Sequence, residues 1–171
     1  MLMVSLRFIH IVLGVLWVGG VFALSVIVIP GMQKLGVPLD GLMKTLNARK
    51  FSRLMMTFGG LTVLSGLAMM DVLSRGHAAN FFGSPYGQTL SLGGLFAILA
   101  LVLGGSVARP TMAKIGALQA DLGSNPPRGD DPRAARLVAL QARVIFSTKV
   151  VVVLLLLAVT CMAVARYVQT I

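Results

Sequence analysis

Four stretches of this chain are apolar for long enough to cross the hydrocarbon core of a bilayer, which takes about 20 helical residues. They cover residues 6–29, 54–73, 90–108 and 150–168, each bounded by charge, proline or glycine. Lipid offers backbone groups no hydrogen-bond partner, so apolar runs of this length are expected to be helices. Hydrophobic residues fill 57% of the 171 positions and charged residues only 12%, which leaves no polar stretch able to bury a core of its own. The expected fold is all-α, an integral membrane four-helix bundle forming a single transmembrane domain over 1–171. The first run exceeds a signal-peptide core and no small-residue cleavage site follows it, so it is expected to stay as the first span.

The net charge of +10 does not point to nucleic acid, because the basic residues lie between apolar runs and form no single stripe. They follow a topological pattern instead. The connection 31–53 holds Lys34, Lys44, Arg49, Lys50 and Arg53 against Asp40 alone. The connection 109–149 holds Arg109, Lys114, Arg128, Arg133, Arg136, Arg143 and Lys149 against Asp121, Asp130 and Asp131, whereas the middle loop has only Arg75. Lysine and arginine are retained on the cytoplasmic side, so both basic connections are expected there, with both termini periplasmic in a bacterial inner membrane.

The third connection reads as structure. The third helix is expected to continue past Pro110, a kink position, until the turn over 124–129 stops it. A new helix then starts with Asp130 or Asp131 as cap and Pro132 at its first position, and runs unbroken into the fourth span. Ile115, Leu118 and Leu122 on one arm and Leu137, Leu140 and Val144 on the other recur at helical spacing, predicting a cytoplasmic helical hairpin. Residues 42–53 read as a basic interfacial lead-in to the second span. Paired small residues at Gly19-Gly20, Gly59-Gly60, Ser65-Gly66, Gly93-Gly94 and Gly104-Gly105 mark where helices approach closely.

Between Phe8 and Pro30 the single ionisable residue is His10, and an imidazole in hydrocarbon is costly enough to make it a site candidate. On a helix His10, Gly14 and Trp17 share one arc, placing a ligating nitrogen, a patch of bare backbone and a large ring together. Haem b suits that set: His10 as axial ligand, Gly14 giving room, Trp17 packing on the macrocycle, and Arg7 or Arg166 pairing with propionates. Met69, Met70, Met162 and His77 are candidates for a second metal ligand, and copper is the alternative metal because imidazole and thioether suit Cu(I). The plain reading of His10 is a hydrogen-bonded interfacial residue, and of the methionines, gap-fillers. Cys161 is the only cysteine, which excludes an intrachain disulfide.

The run HIVLGVLWVGG, from His10 to Gly20, resembles the first span of the CopD-like membrane proteins and of the HemJ-type protoporphyrinogen oxidases. CMAVARYV, near the end of the chain, is similar to the close of related bacterial four-span families. The HemJ resemblance implies haem b on His10 and oxidation of protoporphyrinogen IX. That family also carries a third-span lysine, and residues 90–108 contain none, Lys149 lying on the fourth span. The CopD resemblance implies copper handling, although the additional outer histidines are missing. The expected function is binding of haem b, or of a copper ion, through His10 in electron transfer or tetrapyrrole and metal handling. The alternative is a non-catalytic accessory or assembly subunit that packs against other membrane subunits of a respiratory or photosynthetic complex, or against a second copy.

Overall fold

A computed structural model of the chain describes residues 1–124 and 131–170, and these are helical with short connections. The long elements are α1 (Leu2–Lys34), α3 (Phe51–Ser74), α5 (Pro85–Ser124) and α6 (Pro132–Val168), all long and apolar enough to cross a membrane. Two short helices, α2 (Asp40–Ala48) and α4 (Ala78–Gly83), fill the connections. The four apolar runs of the sequence each lie inside one long helix, and the helices extend beyond them. At 1.5 Å per residue the 40 residues of α5 reach about 60 Å, twice the thickness of a hydrocarbon core.

Local signals set the ends. Gly36 (φ 64°) closes α1 and Gly76 (φ 76°) follows α3, both in the left-handed conformation that only glycine adopts freely. Ser84 caps α5 by accepting from the Gly87 N–H at 3.1 Å, with Pro85 at the first position. Asp131 caps α6, accepting from the Arg133 N–H at 2.9 Å and from its guanidinium, and these bonds hold the carboxyl below its usual range. Its capping contribution is therefore present above the ordinary carboxylate range and is lost only as pH falls through the lowered value. Residues 125–129 of the expected turn, and Asp130 as alternative cap, lie outside the described residues.

Pro110 does not end the third long helix. Between them, Pro30 and Pro110 shape α1 and α5 in the same way: each is preceded by a π turn, Ala23–Val28 in one helix and Gly104–Ala108 in the other. A proline donates no hydrogen bond and its ring crowds the carbonyl four residues back. Widening the turn relieves the clash, and the residue just before each proline makes the longer bond, Ile29 N–H to Leu24 O and Arg109 N–H to Gly104 O.

Two packed clusters result, one on each side of the π turns. In the first, α1 lies along α3, α5 lies along α6, and the two pairs meet through Trp17, Val21, Ala97, Ala100, Leu155 and Ala158. Small residues allow this approach: a Cβ on Gly59 would stand 2.7 Å from the Trp17 ring, and one on Gly93 would stand 3.0 Å from the Cys161 Cβ. The second cluster joins the arms of α5 and α6 through Met112, Ile115, Leu137 and Val144, the faces read from the sequence.

That cluster also contains Ile29 and Met43, the latter from α2. The segment read as a lead-in to the second span is thus two pieces, a helix docked on the arms and the start of α3, separated by Lys50 in a left-handed conformation (φ 52°). Side-chain amides anchor α2: Gln141 donates to Asp40 Oδ1 at 2.6 Å and Gln119 to the Asp40 carbonyl at 3.2 Å. Ile115 is fully buried where α2 and both arms meet. Ile115→Ala is expected to cost roughly 2–4 kcal/mol in reversible unfolding, against less than about 0.5 kcal/mol for Val138→Ala on the exposed face of the same unit.

Candidate functional site

In apolar surroundings every polar hydrogen needs a partner, and His10 finds one on the neighbouring helix. Its Nδ1 lies 2.8 Å from the carbonyl oxygen of Thr62 on α3. A carbonyl can only accept, so Nδ1 carries the proton and donates it. In the neutral ring Nε2 is then a bare lone pair, and no hydrogen bond occupies it among the described residues.

The local sequence of α3 builds this seat. Thr62 and Ser65 turn their hydroxyls onto their own helix, Thr62 Oγ1 donating to Phe58 O at 2.8 Å and Ser65 Oγ to Leu61 O at 2.8 Å. Ser65 Oγ also sits 3.4 Å from His10 Nδ1 and reinforces the donor side of the ring. Gly66 supplies the space: a Cβ there would stand 2.9 Å from His10 Cε1. The imidazole therefore sits against a glycine with its protonated nitrogen tied down, the arrangement in which metal-ligating histidines are oriented.

His10 borders a half-open cavity of about 650 Å³ lined by residues from all four long helices. Its walls come from one end of the bundle, the end that holds both chain termini. Of the residues singled out from the sequence, Arg7, His10, Gly14, Trp17, Met69, Met70 and Met162 line this one space. Thr62 and Tyr86 are the other polar contributors, and the rest of the lining is aliphatic, methionine or glycine. Gly19 and Gly94 also border the cavity, and a Cβ on either would meet nothing within 4 Å, so the wall is low on two sides. Trp17, only 4% exposed, closes the inner end against Gly59.

Two other expected site residues lie elsewhere. Arg166 is exposed, with its guanidinium 4.6 Å from the Tyr167 ring centroid and hydrogen-bonded to the Tyr167 hydroxyl. His77 is exposed at the start of α4 and does not border the cavity. Thr62 and Tyr86 are not marked out by the sequence pattern of the first span. The signal for Thr62 was its place in TVLSG, one turn before the Ser65-Gly66 pair.

The chemistry follows from the donor set. Among the described residues no three or more His, Cys, Asp or Glu side chains gather to hold a metal ion. A bare ion needs several protein donors, whereas a porphyrin brings four nitrogens and leaves one or two axial positions to the protein. A single imidazole bordering a large, nearly apolar cavity, with no hydrogen bond on its Nε2 among the described residues, fits the second case. The volume falls within the range of cofactor sites, and the glycines at the wall leave room for a flat molecule. Compared with protein-family models, curated proteins and solved structures, the chain finds no match.

The seat of His10 is open to spectroscopic test. In protein labelled with 15N-histidine and carrying His77→Gln, the His10 resonances are expected to report one neutral tautomer with Nδ1 protonated. Gly66→Val, which pushes a side chain into the ring position, is expected to give a mixture of tautomers.

Proposed function

We propose that this chain is a haem b protein of the bacterial inner membrane, with His10 Nε2 as the axial ligand and the four-helix cavity as the haem pocket. The observation that carries this reading is the Nδ1–H bond from His10 to the Thr62 carbonyl, which orients the ring and leaves Nε2 free to ligate. The bound group would supply one-electron redox chemistry, serving electron transfer or tetrapyrrole handling. The chain's own residues bind, orient and shield. Thr62 and Gly66 fix the ring, Gly14 packs α1 against Thr62, and Trp17 with Leu155 and Ala158 closes the inner end against water. Arg7 lines the cavity near the terminal end and has no ion-pair partner among the described residues, which suits it to a propionate.

Copper is the weaker occupant, since an ion held by His10 would have to draw its remaining donors from Met69, Met70 or Met162 alone. The same reading places the Lys- and Arg-rich arms and α2 in the cytoplasm and His10 in the periplasmic half of the bilayer. It takes the likeness of HIVLGVLWVGG to the CopD-like and HemJ-type first spans as kinship in haem or metal handling. Protoporphyrinogen oxidation is not part of the proposal, because α5 supplies no lysine between residues 90 and 108. A redox partner, a second copy or another membrane subunit, would exchange electrons at the cavity end of the bundle.

The test is purification from haem-supplied cells and absorption spectra with and without dithionite. The expected result is a Soret band that shifts on reduction, with haem retained through purification. Gly66→Val is expected to weaken haem binding roughly 10–100-fold by displacing the oriented ring, and His10→Ala to abolish stoichiometric binding. A protein without a Soret band, or one whose His10→Ala variant keeps its haem, would overturn the proposal.

A further inference from the structure

A second cavity lies far from His10, between the arms of α5 and α6. It is a groove of about 300 Å³ lined by Lys114, Ala117, Leu118 and Asp121 from one arm and Arg136 and Leu140 from the other. One cation from each arm therefore borders a common space with a leucine floor. Lys114 and Arg136 make no ion pair and no hydrogen bond among the described residues.

The acids nearby are already engaged. Asp121 and Asp131 both hold Arg133, at 2.9 and 2.6 Å, and Asp40 accepts from Gln141. Among the described residues Asp121 is the one carboxylate that borders the groove, and it is shared with Arg133. The surrounding unit deepens the imbalance, since Lys44, Arg49, Arg109 and Arg143 are exposed and have no ion-pair partner among the described residues. Two unneutralised cations converging on one depression, within a field of the same sign, favour an anion with more than one oxygen acceptor. The leucine floor and the closeness of Arg109, at the end of the apolar run 90–108, favour one that also carries a non-polar part.

We propose that this groove binds a phosphate group between Lys114 and Arg136. The phosphate can belong to an anionic lipid headgroup or to a free phosphate compound, and the recognition chemistry is the same. The site is independent of the haem reading.

The test uses the full-length protein. Phosphatidylglycerol or phosphatidylcholine is added to the detergent-solubilised protein and retained lipid is read by native mass spectrometry, while inorganic phosphate is titrated separately against the unfolding temperature. Lys114→Gln/Arg136→Gln is compared with Lys44→Gln/Arg143→Gln, which removes equal charge from the same unit outside the groove. The expected result is a loss of affinity of about fivefold for each groove charge removed, with the control pair close to wild type and all variants equally helical by circular dichroism. Retention of phosphatidylglycerol without a phosphate effect identifies a lipid source, and stabilisation by phosphate alone identifies a soluble one. Equal losses from the two pairs would show only a diffuse basic field and overturn the proposal, as would a wild-type protein that binds neither probe.

Discussion

The bond from His10 Nδ1 to the Thr62 carbonyl is the contact on which the functional end of this bundle depends. Inside an apolar phase a ring N–H without an acceptor is costly, and the acceptor lies on another helix, so the bond ties α1 to α3 while it fixes the tautomer. One interaction thus satisfies a part-buried donor and bridges two helices at the edge of the cavity, with Nε2 free of hydrogen bonds among the described residues. The neighbouring hydroxyls of Thr62 and Ser65 bond within α3, so the polar groups of this turn are satisfied apart from Nε2.

The remainder of the molecule is organised in two stacked units. The unit with the cavity is closed by small residues and the buried Trp17, and the unit beyond it by Ile115, Met43 and the arms of α5 and α6. Two prolines mark the boundary between them in α1 and α5, and both helices widen instead of breaking. Ser25, in the first of these π turns, is 3% exposed, and its hydroxyl has no hydrogen-bond partner among the described residues. The cation-rich unit and the His10 imidazole therefore sit at opposite ends of the same long helices, so any chemistry at His10 is insulated from the basic arms by the packed cluster around Trp17 and Leu155.

Much of this architecture is legible in the sequence because apolar length and helical spacing are local properties. The four long helices, the Asp131–Pro132 start of α6 and the zipped faces of the arms follow from residues within a few turns of one another. The docking of α2 was not legible, because Met43 and Asp40 meet residues about 70 to 100 positions away. The π turns were legible only as proline positions. At the site, the shared arc of His10, Gly14 and Trp17 anticipated one wall. Arg166 and His77 were grouped with them on expected depth alone, and depth does not fix which way a side chain turns at a helix end. The partner of Nδ1 is a backbone carbonyl, and a carbonyl exists at every position, so no side-chain pattern marks it.

The central claim is that Nε2 of His10 ligates the iron of a haem held in the cavity between the four helices. Anomalous X-ray diffraction at the iron absorption edge, from lipid-grown crystals of protein produced with ample haem, measures this directly. The account predicts one iron peak per chain at bonding distance from His10 Nε2, with the ring still donating to the Thr62 carbonyl. An iron peak at another residue, or a cavity filled by lipid chains with no iron present, would contradict it.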